Sequence, residues 1–514
     1  MNSDVLRSRD GRIAALGFWT ATAFVTAWTA IARSAGLNPQ SLWFDDLWVA
    51  SLTRLESLIE AVSLAVPVPP GFVAVLWCCR RLVPDPELAV QTVPFLASLV
   101  SIPILAVAVS RASGSHALGV AAGTLIAVNP AVTHYSVYAK QYTVDVLVTA
   151  IVLALAVNYF RGRAPRDFVF GAATSAVALF VSFPSVFATV PFVNLGLLLA
   201  LRSFRSRPQE SRSVIRTALA FDIAAGLSLL LWIVGRSNPQ VVSYWKGGFL
   251  PTDSLKSGWD FLASNGLEAI QGALPAVLVH ATPLVAVGLV WLLARPATRF
   301  LALWVALFYG TVLVASAAQA YPIAGGARLR TALFSFPVTV FLFVMGIDAL
   351  TRWIPGRSLV NTTSCGLLLG VMVLKPVKAH YFPLNHSAFV RIMEQVATDA
   401  DGIVIWPSAG YLAGYYSEWP ISARVPEGPG LGLEIHLNRP GTLTLPSGTS
   451  EARAAALDRY LETGRYSRVL YLTTRAPDGE EATVFEVFAR HGYQALEPWR
   501  SNIRTRLIVF QLVE

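Results

Sequence analysis

Long apolar runs recur through the first 375 residues and constrain this chain more than any other feature. A transmembrane helix needs about 20 mostly apolar residues to cross the hydrocarbon core of a bilayer. Eleven segments approach that length, at 13–32, 88–110, 116–133, 142–160, 168–186, 187–201, 217–234, 273–294, 299–317, 331–350 and 358–375. Only 14% of the residues are charged, which is little for a soluble chain of 514 residues. The sequence predicts a polytopic α-helical membrane protein with about 11 transmembrane helices.

Arginines are concentrated in the turns between these runs and predict the orientation of the chain. The arginines at the N-terminus and at every second turn are Arg7, Arg9, Arg12, Arg111, Arg161, Arg163, Arg166, Arg202, Arg205, Arg207, Arg212, Arg216, Arg295, Arg299, Arg352 and Arg357. Turns of this kind face the cytoplasm in multi-pass proteins. We therefore expect a cytoplasmic N-terminus. Because these turns account for the net charge of +9, that charge does not indicate a nucleic-acid partner.

One apolar stretch, 58–82, is not counted as a span. Prolines at positions 67, 69 and 70 would break a single crossing helix. We expect it to form helices at the outer interface, within a first outer loop covering 33–87. The transmembrane part then ends at 375.

Residues 376–514 differ from the rest in composition. Short apolar segments at 402–407, 468–474 and 506–514 read as strands, and helical periodicity appears at 387–399, 449–464 and 480–492. This alternation predicts a small soluble α/β domain on the extracytoplasmic side. No cysteine lies in this segment, so we expect it to fold without disulfides.

Two ionisable residues fall inside predicted spans. Asp222 lies about one and a half turns beyond Arg216, and we expect these two side chains to pair. His280 is expected to be a hydrogen-bonded packing residue.

The first outer loop carries the paired acids Asp45 and Asp46 within "WFDDLW". An aromatic, lipid-facing environment would raise a carboxylate pKa and make it a useful general base. The alternative is an ordinary solvated acidic pair beside interfacial tryptophans.

Later outer loops supply the opposite charge. "YAKQYTVD" holds Lys140 with Tyr138, Tyr142 and Asp145, and positions 142 and 145 share one helix face. "YPIAGGARLR" holds Tyr321, Arg328 and Arg330. Lysine and arginine at these places fit a lipid phosphate, although snorkelling or non-specific headgroup contact would give the same pattern.

The loop 238–261 contains Tyr244 among other aromatic residues but no sharp motif. It could cover an acceptor, although a plain amphipathic interface helix is the simpler interpretation.

These segments, in this order and on one predicted side, resemble the GT-C superfamily of integral-membrane glycosyltransferases. The resemblance is to bacterial members of the protein O-mannosyltransferase and aminoarabinose-transferase type, and it covers most of 10–375. The matching segments are "WFDDLW", "NPAVTHYSVYAKQYTVD" and "YPIAGGARLR".

The resemblance implies transfer of a sugar from a polyprenyl-phosphate carrier to a hydroxyl of a glycan, lipid or protein, at the outer face of the bacterial cytoplasmic membrane. Asp45 or Asp46 would be the base, and Lys140, Arg328 and Arg330 would bind donor phosphate. Tyr138, Tyr142, Asp145, Tyr321 and Tyr244 would bind substrate.

The resemblance implies no certain cofactor. Tyr138 stands where many relatives have a glutamate that can bind metal, which makes a divalent metal less expected without removing it. The alternatives in function are a transporter or flippase of lipid-linked saccharides, and a non-catalytic cell-envelope assembly subunit.

Overall fold

The computed structural model describes residues 3–37, 42, 44–65, 68–236, 246–323, 330–374, 386–424, 434–464, 466–474, 478–496, 499–500 and 505–513. The α-helices are α1 (Ser3–Ser34), α2 (Phe44–Leu52), α3 (Leu58–Ser63), α4 (Pro70–Leu82), α5 (Pro86–Ser113), α6 (His116–Ala127), α7 (Pro130–Tyr135), α8 (Tyr142–Gly162), α9 (Pro165–Val181), α10 (Val186–Ser203), α11 (Pro208–Arg236), α12 (Leu255–Phe261), α13 (Leu267–Gly272), α14 (Pro283–Ala294), α15 (Arg299–Ala317), α16 (Phe336–Thr351), α17 (Arg357–Leu374), α18 (His386–Val396), α19 (Ala409–Tyr416), α20 (Ser450–Thr463) and α21 (Asp478–Arg490). The strands are β1 (Gly402–Ile405), β2 (Ile421–Arg424), β3 (Glu434–Leu437), β4 (Thr442–Thr444), β5 (Arg468–Thr474), β6 (Tyr493–Ala495), β7 (Trp499–Arg500) and β8 (Thr505–Leu512).

The described helices confirm the predicted class, a multi-pass α-helical membrane protein with a strand-containing C-terminal part. Six stretches are long and apolar enough to cross a bilayer, and they are Arg12–Ser34, Pro86–Ser113, Tyr142–Gly162, Phe183–Ser203, Arg299–Ala317 and Leu333–Thr351. Two shorter apolar helices are His116–Ala127 and Leu278–Ala294. The predicted span 116–133 is interrupted because Pro130 begins a new helix after the Asn129 cap.

The chain forms two compact units that do not follow the order of the sequence. The first contains Met1–Leu37, Pro94–Val137 and Gln141–His380, and the second contains Asn38–Val93, Tyr138–Lys140 and Tyr381–Glu514. The division expected from the sequence, at 375, separated the first outer loop from the tail. In the structure the two form one unit.

Two glycines bring α14 and α16 of the first unit into backbone contact. A Cβ atom at Gly288 would lie 1.9 Å from the Leu342 carbonyl oxygen, and one at Gly346 would lie 2.1 Å from the Leu284 carbonyl oxygen. Helices in lipid gain little from the hydrophobic effect between them, so close packing at small residues holds them together. The span containing α16 is also the most buried of the six.

A buried arginine in the first unit forms hydrogen bonds to the end of a neighbouring helix. Arg33, at the end of α1, is fully buried and donates from Nη2 to the carbonyl oxygens of Ile126 at 3.3 Å and Ala127 at 3.0 Å. These carbonyls end α6 and have no partner inside their own helix. The guanidinium therefore satisfies the negative end of α6.

The predicted pairing of Asp222 with Arg216 was wrong. Asp222 instead accepts a hydrogen bond from Asn194 Nδ2 at 3.0 Å, because α10 packs along α11. Residues six apart on a helix do not share a face, so Arg216 points elsewhere.

The second unit contains a mixed sheet in the order β4-β1-β5-β8-β6, with β7 paired to β8. Strand β1 is parallel to β4 and β5, and β8 is antiparallel to β5 and β6. Strands β2 and β3 form a separate antiparallel pair. The three predicted strands correspond to β1, β5 and β8, and the three predicted helices to α18, α20 and α21.

The first outer loop packs on the tail through hydrogen bonds to backbone carbonyls. Arg54 Nη1 donates to the Gly414 carbonyl at 2.8 Å and also to that of Ser417, and Nη2 donates to the Trp419 carbonyl at 3.2 Å. Ser51 Oγ donates to the Tyr411 carbonyl at 3.1 Å. These carbonyls belong to α19 and the residues just after it. The end of α2 is therefore fixed to the tail.

The stretch 58–82 forms α3 and α4, two separate helices rather than one crossing helix, as the prolines predicted. Trp77 Nε1 donates to the Leu55 carbonyl at 3.0 Å, and Arg81 Nη2 donates to the same carbonyl at 2.9 Å. The turn after α2 is thus held from both sides, by α4 and by the tail.

Gly288→Ala and Gly346→Ala are expected to destabilise the protein by about 1–3 kcal/mol each, because each new methyl group would overlap a backbone carbonyl that cannot move without shifting its helix. Thermal unfolding in detergent measures the effect. Gly310→Ala is the matched control, since nothing lies within 4 Å of its would-be Cβ atom. Equal midpoints for all three variants would contradict the close packing.

Arg54→Ala is expected to loosen α2 without unfolding the first unit, because it removes three hydrogen bonds to the tail. Hydrogen exchange of the amides in 44–52 should become about tenfold faster or more, since each lost bond to a charged donor contributes about 1.5–3 kcal/mol. Arg490→Ala, which removes only an exposed ion pair with Asp458, should leave that exchange unchanged. Unaltered exchange in Arg54→Ala would show that the bonds do not hold α2.

Candidate functional site

Helix α2 carries the two candidate bases. Its sequence, FDDLWVASL, places both aspartates in the first turn, where negative charge stabilises a helix N-terminus. Asp46 is 0% exposed. The alternative of a solvated acidic pair therefore fails for Asp46. The side chain of Asp45 lies outside the described residues.

Lys140 packs against the same helix, in the same unit. Residues 138–140 form a tight turn in which the Lys140 N–H donates to the Tyr138 carbonyl at 2.7 Å. Lys140 Nζ lies 4.5 Å from the centroid of the Trp48 ring. Tyr138 and Lys140 are both buried. A snorkelling lysine would keep its ammonium in water, whereas this ammonium lies against an aromatic face.

The first unit gathers a second group of predicted site residues where α8 begins. Asp145, in the first turn of α8, is 4% exposed, and the Ser182 hydroxyl lies beside its carboxylate. Tyr321 lies within electrostatic reach of both Asp145 and Tyr142. The Tyr142 ring packs edge-on against Tyr135, with centroids 5.0 Å apart.

Tyr321 is held firmly in this group. Its hydroxyl donates to the Thr331 carbonyl at 2.9 Å, and its ring packs edge-on against Phe187 and Phe334. Burial raises the pKa of the Tyr321 phenol well above its ordinary value, and the nearby Asp145 and Tyr142 raise it further. The phenol is therefore a neutral hydrogen-bonding group.

The Asp145 carboxylate can accept a further hydrogen bond. Its Oδ1 atom is buried and makes no hydrogen bond to any residue in the described part of the chain. Ser182 Oγ is adjacent, but it too lacks full hydrogen-bond geometry there. A buried acceptor without a partner costs free energy. A sugar hydroxyl would satisfy it.

Of the three remaining predicted residues, the structure describes only Arg330. Arg330 is half-buried and directly precedes Thr331, whose carbonyl accepts from Tyr321. Arg328 and Tyr244 lie outside the described residues.

Arg54, which bonds α2 to the tail, and Ser182, which lies beside Asp145, were not singled out from the sequence. An arginine on the predicted outer side, where positive residues are disfavoured, was the available signal for Arg54. A serine inside an apolar segment gives no comparable signal.

The donor atoms do not fit a metal centre in the described part of the chain. No group of three or more His, Cys, Asp or Glu side chains is placed there to hold an ion.

Solved structures, rather than sequences, show what the chain is similar to. No family model and no curated protein sequence matches it. The oligosaccharyltransferase of Archaeoglobus fulgidus, in complex with Zn and sulfate, aligns over 94% of this chain and 72% of its own, with 10% identity and a TM-score of 0.50. ArnT from Cupriavidus metallidurans, bound to undecaprenyl phosphate, aligns over 96% of this chain and 97% of its own, with 14% identity and a TM-score of 0.48.

Identities this low bear on the fold alone, and of these two likenesses the stronger is to the Archaeoglobus fulgidus oligosaccharyltransferase. It extends over nearly the whole chain, tail included. The fold of this chain is therefore similar to that of the Archaeoglobus fulgidus oligosaccharyltransferase.

Proposed function

We propose that this protein transfers a sugar from a polyprenyl-phosphate donor to a hydroxyl acceptor at the outer face of the cytoplasmic membrane. The observation that carries the proposal is the burial of Asp46 on α2 together with the packing of Lys140 against Trp48 of that helix. The two charged residues are far apart in sequence. A fold that buries both against one short helix supports a chemical role better than a solvated surface does.

The reaction needs an acid–base group and a cation. A bond forms between the acceptor oxygen and the anomeric carbon while the bond from that carbon to the phosphate oxygen breaks. The acceptor proton passes to a carboxylate, and the electron pair leaves with the phosphate. Positive charge stabilises the phosphate as its negative charge develops. Attack opposite the leaving group inverts the anomeric configuration.

Asp46 or Asp45 is the proposed base. Asp46 is the better candidate because it is buried on the short helix against which Lys140 packs. Lys140, Arg328 and Arg330 are the proposed phosphate ligands.

Asp145 is the strongest of the proposed substrate-binding residues. Its unbonded Oδ1 can accept from a sugar hydroxyl, and Tyr142 and Tyr321 lie around it. Aromatic rings such as these offer faces on which a sugar ring can pack. Tyr138 and Tyr244 complete the proposed substrate contacts.

Asp46→Asn is expected to lower kcat about 100- to 10,000-fold, the usual range for loss of a general base. The purified protein would be assayed with a polyprenyl-phosphate sugar and a hydroxyl acceptor. Asp399→Asn, an exposed tail aspartate, is the control and should keep full activity. The proposal is contradicted if full activity remains in Asp46→Asn, in Asp45→Asn and in the double variant, because neither aspartate would then be the base. Movement of labelled lipid across vesicles without a new glycosidic bond would favour a transporter instead.

Lys140→Gln is expected to weaken donor binding about 10- to 100-fold, because one charge-assisted contact to phosphate contributes about 1.5–3 kcal/mol. Lys140→Arg should recover part of the affinity, since it restores the positive charge. Equilibrium binding of a polyprenyl phosphate measures the effect, with the exposed Lys256→Gln as the matched control. Equal donor affinity in Lys140→Gln and the unaltered protein would remove Lys140 from the phosphate site.

A further inference from the structure

Three arginines of the first unit converge on one buried carboxylate. Asp348, near the end of α16, is 0% exposed. Arg352 Nε lies 3.0 Å from its Oδ2 atom, Arg295 Nη1 lies 4.0 Å from the same atom, and Arg357 Nη2 pairs with Oδ1. Arg295, Arg352 and Arg357 are called the arginine cluster below.

The carboxylate does not neutralise this cluster. Three positive charges face one negative charge, which leaves an excess of two. Arg161, at the end of α8, adds a further positive charge within electrostatic reach of Arg295. Burial lowers the pKa of the Arg295 guanidinium, and the like charge of Arg352 lowers it further. The repulsion thus exceeds what Asp348 compensates.

One hydrogen-bond donor of the arginine cluster is also unused within the described residues. The buried Arg295 Nη1 atom makes no hydrogen bond within the described residues. Trp291 orients the cluster, since its Nε1 donates to Asp348 Oδ2 at 3.4 Å and the guanidinium carbons of Arg295 and Arg352 lie 5.2 and 5.3 Å from its ring centroid. Arg352 Nη2 also donates to the Ser113 carbonyl at 3.3 Å.

A ligand can reach the cluster. The side chains of Arg295, Arg352 and Arg357 are 29%, 26% and 30% exposed. Large apolar side chains beside them are open too, with Trp353 82% exposed and Leu350 53% exposed. Charged donors bordered by exposed apolar side chains at the end of membrane helices suit an amphiphile with an anionic head.

The cluster lies at the end of the first unit that is opposite to Asp145. Asp145 is in the first turn of α8, and Arg161 is in its last turn. A helix of 21 residues is about 30 Å long, close to the hydrocarbon thickness of a bilayer. The cluster is therefore separate from the group around Asp145, and the arginine-rich turns predict that it faces the cytoplasm.

We propose that the arginine cluster binds the phosphate group of an anionic phospholipid at this membrane face. Guanidinium groups match phosphate oxygens in a planar fork, and the lipid phosphate would neutralise the excess charge that Asp348 leaves. The acyl chains would lie along Leu350 and its exposed apolar neighbours. This assignment does not depend on the proposed transferase reaction.

Binding of fluorescent phosphatidylglycerol to the purified full-length protein in detergent tests the proposal. We expect saturable binding that unlabelled phosphatidylglycerol displaces and that phosphatidylcholine does not. Arg295→Gln should weaken the affinity about tenfold, because it removes one of the three positive charges. Arg212→Gln, an exposed arginine of α11 on the same predicted face, should leave it unchanged.

A folding defect is separated from a binding defect by two further measurements. Arg295 makes the longest of the three ion pairs, so Arg295→Gln should keep the unfolding midpoint measured without lipid. Asp348→Asn removes the opposing charge and should tighten lipid binding by the folded protein, whereas a purely structural cluster would show no gain in affinity.

The proposal fails if phosphatidylglycerol binds Arg295→Gln as tightly as it binds the unaltered protein. It also fails if phosphatidylcholine competes equally well. Displacement by inorganic phosphate at the same concentration as the lipid would show a site for free phosphate and overturn the lipid assignment.

Discussion

The structure depends on one constraint, which is that a charged group among apolar helices must find its partners within the protein. Two buried charges of the first unit find partners near helix ends. Arg33 satisfies the last carbonyls of α6, and Asp348 is surrounded by arginines. Asp145 is satisfied less completely, since its Oδ1 atom has no hydrogen bond within the described residues. An unsatisfied acceptor of this kind is where a substrate gains binding free energy without displacing a protein contact.

The second unit shows that the tail is not a separate domain, because it contains other segments of the chain as well. Sequence composition separates the tail from the membrane part, yet the tail packs with the first outer loop and with residues 138–140. Arg54 and Ser51 bond to carbonyls at α19, so the helix that carries Asp46 rests on the tail. The tail therefore acts as a support for the candidate base. A catalytic carboxylate needs such support, because small displacements of a reacting group cost large factors in rate.

The first unit has two ends with different chemistry. One end has neutral phenols around a carboxylate, which suits hydrogen bonding to sugar hydroxyls. The other has more guanidinium groups than carboxylates, which suits a phosphate. The close contact of α14 and α16 at Gly288 and Gly346 lies between these ends, and α16 is the buried member of the pair. A lipid held at the arginine cluster would contact one end of that pair.

The sequence by itself determined the membrane class, the interruption of 58–82 by prolines and three strands of the tail, because hydropathy, proline geometry and strand alternation are local properties. It also identified Asp46, Lys140 and Asp145 as residues of interest. Only the tertiary structure decided that Asp46 is buried, that Lys140 lies on Trp48 and that Asp222 pairs with Asn194. Burial and side-chain partners depend on which distant segments pack together, and local patterns do not contain that information.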